Sequence, residues 1–174
     1  MAPERIGEAP VPGQETAAGA VEAILGLKHA YLRLLDTKRF EELGDLLAED
    51  ATAAYGSGRH TYSGRRDIVG FLTRVLGDPA RVTMHTGHHP EISLDGEDTA
   101  SGTWYLEDRV IAPGADWELH GTAIYHDRYR REAGRWRISH TAYERIFEEQ
   151  RRRSTGEVLN FSTMFDASDD DPPT

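Results

Sequence analysis

Apolar residues between Val21 and Lys38 recur at intervals of three and four. Ile24, Leu27, Tyr31, Leu34 and Leu35 fall on one stripe, and the spacing predicts a first helix there. A shorter helical pattern follows through Phe40, Leu43, Leu46 and Leu47. Thr52-Ala53-Ala54-Tyr55 and His60-Thr61-Tyr62 then read as two short strands around Gly56-Ser57-Gly58. Arg66 to Leu76 reads as a third helix burying Ile68, Phe71, Leu72 and Val75. After Pro79 the pattern changes to long β-compatible runs at 81–94, 99–111, 118–131 and 135–147, parted by Asp95-Gly96, Pro113-Gly114 and Ala133-Gly134. Helices first and a meander of strands afterwards predict an α+β fold. An antiparallel sheet curling around helices packed on one face makes a cone with an apolar interior, a natural place for a small hydrophobic ligand.

The two ends lack this periodicity. Residues 1–17 are rich in Pro, Gly, Ala and Glu and read as a mobile tail, leaving 18–150 as the folded domain and 151–174 as a second, partly disordered tail. Leu159, Phe161, Met164 and Phe165 complicate that second tail, because four large apolar groups could fold back over a pocket or dock on a neighbouring subunit. The length of 174 residues and 38% hydrophobic content fit one domain with a core large enough to hold a pocket.

Composition narrows the chemistry by exclusion. With no cysteine, disulfides, thiolate catalysis and Cys-based zinc sites drop out. A net charge of −10 argues against a nucleic-acid partner, and Arg151-Arg152-Arg153 reads as the solvated end of an element rather than a phosphate site. No apolar run approaches the length of a membrane span, and Met1-Ala2-Pro3-Glu4-Arg5 lacks the cationic start of a signal peptide. A soluble, cytoplasmic protein is therefore expected. Lys28 and Lys38 are its only lysines among 20 basic residues.

Candidate chemistry concentrates in Met84-His85-Thr86-Gly87-His88-His89-Pro90 and, roughly twenty residues on, in Trp104-Tyr105-Leu106-Glu107-Asp108-Arg109. If Asp95 to Asp98 form the loop of a hairpin, His85 and Asp108 face each other across it, within reach for a carboxylate to orient an imidazole. A two-residue loop at Asp95-Gly96 makes them diagonal neighbours instead, and a bulge at Gly87 or Gly102 would flip part of the strand. A metal site built from His85, His88, His89 and Asp108 or Glu107 is the chemical rival. Strand alternation opposes it, since His88 and His89 point to opposite faces.

These segments, together with Tyr143-Glu144-Arg145-Ile146-Phe147-Glu148-Glu149, Tyr31 and Leu35-Asp36 on the first helix and Tyr55 on the early strand, resemble the bile-acid 7α-dehydratases of the SnoaL-like, NTF2-like superfamily. The resemblance runs collinearly over about residues 20 to 150. It implies an α+β NTF2-like cone, often assembled as a trimer, whose pocket eliminates water from a hydroxylated 3-oxo-4-ene steroid without a cofactor. Carried over by position, it implies Tyr31, Asp36, His85, Asp108 and Arg145 as the catalytic set, with Tyr55, His88, Trp104 and Tyr143 against the substrate. His89 after the second glycine-histidine and the divergent segment from Ile111 to Gly121 depart from the family pattern. They leave room for another sterol or a polyketide, with or without a coenzyme A thioester handle.

Dehydration of a vinylogous β-hydroxy ketone needs a base for the acidified C–H, a donor for the enolate oxygen and help for the departing hydroxide. His85 fits the base, because a free imidazole titrates near about pH 6.5 and a positioned base contributes roughly 10²–10⁴ in rate. Asp108 would hold its tautomer, and Tyr31 would donate to the dienolate oxygen. Each also has a bland reading: Tyr31 as a core aromatic, His85 as a hydrogen-bonded strand residue, Asp108 as a strand-end charge, Asp36 as the start of a turn, Tyr55 as core. Arg145 facing inward would require a carboxylate or ligand partner. A polyketide cyclase or a double-bond isomerase would use the same enolate chemistry. A non-catalytic lipophile carrier would have no reason to bury His, Asp and Arg together.

Overall fold

The computed structural model describes residues 16–156. Helix α1 (Ala17–Asp36) starts at Thr16, whose hydroxyl oxygen accepts the Gly19 N–H at 3.1 Å. It buries the expected stripe and, with it, Lys28. Lys38, in the left-handed region at φ 59°, ends the turn after α1 and donates its ammonium to the Leu76 and Arg81 carbonyls at 2.6 and 2.8 Å. Helix α2 (Phe40–Gly44) is shorter than the periodicity predicts. Leu47 belongs to strand β1 (Leu47–Tyr55) because β6 captures it: the Ile138 N–H donates to the Leu46 carbonyl, and Leu47 pairs with Ile138. Strand β2 (His60–Ser63) and helix α3 (Arg65–Leu76) follow as expected.

Four long strands, β3 (Val82–Leu94), β4 (Thr99–Ala112), β5 (Trp117–Glu132) and β6 (Arg135–Arg151), complete a six-stranded sheet of order β2-β1-β6-β5-β4-β3. All neighbours are antiparallel except β1 and β6. The sheet is curved and unclosed, with β2 and β3 at its two edges and the helices on the concave face. Strand β6 runs four residues past the expected end at Phe147. The apolar residues Leu159, Phe161, Met164 and Phe165 lie outside the described residues, as does nearly all of the N-terminal tail. The arginine run ends in ion pairs, Arg151 to Glu149 and Arg153 to Glu118.

Two local features set what the concave face presents. The β3–β4 connection is one residue longer than a four-residue loop, pairing Leu94 with Ala100, and a bulge at His89-Pro90 takes that residue back. His89 sits there at φ 47°, and Pro90 has no N–H to lose from the ladder. The bulge lies beyond Gly87, so His85 and Asp108 remain direct partners. Gly87 has a different use: a Cβ there would stand 2.9 Å from Leu32 Cδ1 of α1, so glycine allows the helix to lie close on β3.

Beneath the sheet runs a buried polar chain. Trp104 Nε1–H donates to the Tyr129 hydroxyl at 2.9 Å, and that hydroxyl donates to Asp127 Oδ2 at 2.9 Å. The same Oδ2 lies 2.7 Å from Lys28 Nζ, both side chains being fully buried. The ammonium also sits 3.4 Å from the Tyr125 ring centroid and 5.0 Å from that of Tyr31. Burial pulls the Lys28 pKa down against the pull of Asp127.

Candidate active site

A chamber of about 150 Å³ opens between α1, α3 and the concave face of the sheet. Six of the sequence-predicted residues line it: Tyr31, Tyr55, His85, Asp108, Tyr143 and Arg145. Leu35, Phe71, Leu72, Val75, Leu76 and Val110 supply apolar wall, and His60 and Tyr125 complete the lining of fourteen residues. Six of these fourteen residues, His60, Val75, Leu76, Val110, Tyr143 and Arg145, are shared with an outer vestibule of about 520 Å³, so the chamber has a mouth.

His85 is held from behind by the end of α1. Asp36 Oδ1 lies 2.6 Å from His85 Nδ1, Asp36 Oδ2 accepts the His85 backbone N–H at 2.8 Å, and the Thr83 hydroxyl donates to Oδ1 at 2.8 Å. These donors offset the local cost of a carboxylate at a helix C-terminus. A carboxylate only accepts, so Nδ1 carries a proton, and in the neutral ring the basic lone pair is on Nε2. This corrects the expected partner: the imidazole is oriented by Asp36, and not by Asp108 across the hairpin.

Asp108 is committed elsewhere. Arg145 Nη1 and Nη2 donate to its two oxygens at 2.5 and 2.8 Å, with side-chain exposures of 14% and 4% for Arg145 and Asp108. The inward arginine thus has the carboxylate it requires. The two residues sit on β4 and β6, with β5 between them, and the pair passes over Gly121. A Cβ at Gly121 would lie 2.7 Å from Arg145 Nη1 and 3.1 Å from Asp108 Oδ1. Arg145 is aimed inward by a register shift opposite Thr122 and Ala123, where its backbone N–H donates to the Ser57 hydroxyl oxygen at 3.1 Å.

Tyr31 and Tyr55 share a hydroxyl–hydroxyl hydrogen bond of 3.1 Å. Burial raises the pKa of both, and of Tyr125 beside them, so all three phenols keep their protons at neutral pH. Tyr55 stacks on Phe71 with ring centroids 5.5 Å apart. The arrangement offers a base with a free lone pair, phenolic donors and a neutral ion pair in one apolar enclosure.

Two expected site residues are placed elsewhere. Trp104 is fully buried in the core and does not line the chamber. His88 has the parity of Met84 and lies on the convex face, 3.8 Å from Glu107 with a half-exposed side chain. The same alternation separates His88 from His85, and among the described residues no group of three or more His, Asp or Glu is arranged to hold a metal ion. A convex-face groove of about 360 Å³ lined by Met84, Glu107 and His120 holds none of the chamber residues.

Sequence reasoning passed over Tyr125 and His60, which line the chamber, and the Lys28–Asp127 pair under its floor. A signal existed for the pair. Asp127 continues the buried alternation Ala123, Tyr125, Tyr129 on β5, and Lys28 falls within the α1 stripe between Ile24 and Tyr31, so each is a charge in an apolar series.

Solved structures share this architecture. A hexachlorocyclohexane dehydrochlorinase of the LinA type from Novosphingobium barchaimii superposes with a TM-score of 0.69 at 18% identity, covering 76% of this chain and 90% of that one. A second LinA-type hexachlorocyclohexane dehydrochlorinase gives 0.71 at 19% identity over 84% and 95% of the two chains. A Novosphingobium aromaticivorans protein provisionally named scytalone dehydratase gives 0.69 at 19% identity over 86% and 95%. At these identities the likeness is one of fold. Residues 16–142 match the family model described as a SnoaL-like domain, and the chain belongs to that family.

Proposed function

We propose that the chain is a cofactor-independent carbon–oxygen lyase that removes water from a hydroxylated 3-oxo-4-ene steroid or bile-acid-like substrate through a dienolate. The observation that supports this reading most is the His85–Asp36 pair set in an apolar chamber beside Tyr31, Tyr55, Asp108 and Arg145. His85 Nε2 takes the acidified C–H proton, and Asp36 holds the tautomer and the imidazolium that forms. The Tyr31–Tyr55 pair donates to the oxygen on which charge develops. Asp108 and Arg145 border the leaving oxygen. Tyr143 packs its ring 6.0 Å from that of Tyr55 and flanks the substrate.

The chamber alone is smaller than the roughly 300–1,000 Å³ of ordinary ligand pockets, so the reacting ring occupies it while the rest of the molecule extends into the vestibule. A polyketide enone alcohol meets the same requirements. A pure lipophile carrier is disfavoured, because a desolvated His–Asp pair and an Arg–Asp pair cost free energy that binding alone does not repay. A homo-oligomer, trimer before dimer, belongs to the same reading, with half-exposed Met84, Tyr105 and Phe147 on the convex face as its apolar contact. No described helix is long and apolar enough to cross a membrane, and a cytoplasmic location completes the proposal.

The test is incubation of the purified chain with a 7α-hydroxy-3-oxo-4-ene steroid or its thioester. Growth of the longer-wavelength absorbance of the conjugated dienone supports the reading. Absence of that absorbance for both forms removes the substrate assignment.

A further inference from the structure

His60 is a second imidazole in the chamber, brought there from the far side of the sheet. It opens β2, one edge of the sheet, while His85 lies on β3, the other edge; the curvature makes both line one cavity. His60 pairs in register with Tyr55, and its ring stands 5.5 Å from that of Phe71. Among the described residues neither ring nitrogen makes a hydrogen bond or ion pair. It lines both chamber and vestibule and is itself exposed, so it stands at the mouth between the enclosed space and bulk solvent.

Elimination needs a proton at the leaving oxygen as well as a base at carbon. The chamber's other groups serve that need poorly. Asp108 is a carboxylate paired with Arg145, the guanidinium is too weak an acid, and burial makes the phenols of Tyr31, Tyr55 and Tyr125 weaker acids still than an ordinary phenol, itself far weaker than an imidazolium. We propose that His60 is the general acid of this site, giving its proton to the departing hydroxyl after His85 has taken the proton from carbon and the dienolate has formed. The C–H bond breaks to His85 and a carbon–carbon double bond forms. The C–O bond breaks with its electron pair on oxygen, and that oxygen leaves as water with the proton from His60. Between turnovers His60 regains a proton from solvent at the mouth and His85 releases to water the proton it took from carbon. The assignment rests on the dehydratase reading above and adds a residue to it.

A leaving group that needs no proton separates this role from a structural one. His60→Gln and wild type are compared on the 7α-hydroxy-3-oxo-4-ene steroid and on its analogue carrying chloride at the same carbon, with near-ultraviolet circular dichroism to confirm the fold. The expected result is a kcat loss of roughly 10² or more on the alcohol and a change within about threefold on the chloride. Equal losses on both substrates, or undiminished kcat on the alcohol, overturn the role of His60 while leaving dehydration intact. A wild-type chain inert toward both substrates overturns the dehydratase reading, and the role of His60 falls with it.

Discussion

Asp36 grips His85 twice, with Oδ1 2.6 Å from the ring Nδ1 and Oδ2 2.8 Å from the backbone N–H, so the end of α1 sets both the tautomer and the position of the imidazole. Asp36→Asn keeps the shape and removes the acceptor preference, allowing the amide to donate to Nδ1 and turn Nε2 into a donor. The expected outcome is a fall in kcat of at least about 10² with KM little changed. Steady-state kinetics check it, and a wild-type kcat in Asp36→Asn would contradict the assignment.

Gly121 is the gap through which the Asp108–Arg145 pair meets. A methyl group there would stand 2.7 Å from Arg145 Nη1 and 3.1 Å from the Phe147 carbonyl oxygen, and only the first of these neighbours is the end of a flexible side chain. Gly121→Ala is expected to cost about 1–3 kcal/mol and to displace Arg145 from Asp108. Urea denaturation reads the stability, and a crystal structure of the variant reads the pair.

Lys28→Met strands Asp127 in a fully buried position and is expected to destabilise by about 3–5 kcal/mol. The double variant Lys28→Met, Asp127→Leu removes both charges and is expected to lose less than Lys28→Met alone. A double-mutant cycle by chemical denaturation measures the difference.

Alkaline pH is expected to unfold the protein. Burial raises the pKa of Tyr31, Tyr55, Tyr125 and Tyr129 above the ordinary 10.0. Below pH 10 both folded and unfolded chains hold these protons and the contribution is fully present. Above it the unfolded chain releases protons that the folded chain keeps, so stability falls as pH rises. Lys28 and Lys38 act with the opposite sign, since burial lowers both from 10.5 and the unfolded chain holds those protons longer, but they are two groups against four. Urea midpoints taken at neutral pH and above pH 10, with tyrosinate absorbance followed in parallel, check the sign. Ionisation of these four phenols should coincide with unfolding.

Much of this architecture could be read in the chain because apolar spacing reports burial directly. The α1 stripe and all four long strands are where periodicity and turn residues place them; His85 and Asp108 do face each other, but only because the His89-Pro90 bulge takes back the extra residue in the β3–β4 connection. What failed were the features decided between elements. Leu47 joined a strand because β6 offered a ladder, overriding a helical spacing that continued from Phe40. Asp108 faces His85 in the hairpin, yet its partner comes from β6 across a glycine, a relation that two-strand register does not contain. His60 and His85 line one chamber only because the sheet curls, which brings residues from its two edges around the same cavity and leaves no trace in local spacing. Trp104 shows the reverse error: an aromatic beside charged residues read as substrate contact, whereas its indole N–H is spent on Tyr129 in the core.

In the proposed dehydration His85, set by Asp36, removes the carbon proton so that water leaves. Mass spectrometry after incubation of a 7α-hydroxy-3-oxo-4-ene steroid with wild type and with folded His85→Gln tests it most directly. A product lighter by one water from wild type, and unchanged substrate from His85→Gln, is the predicted result. Equal conversion by the two proteins would contradict it.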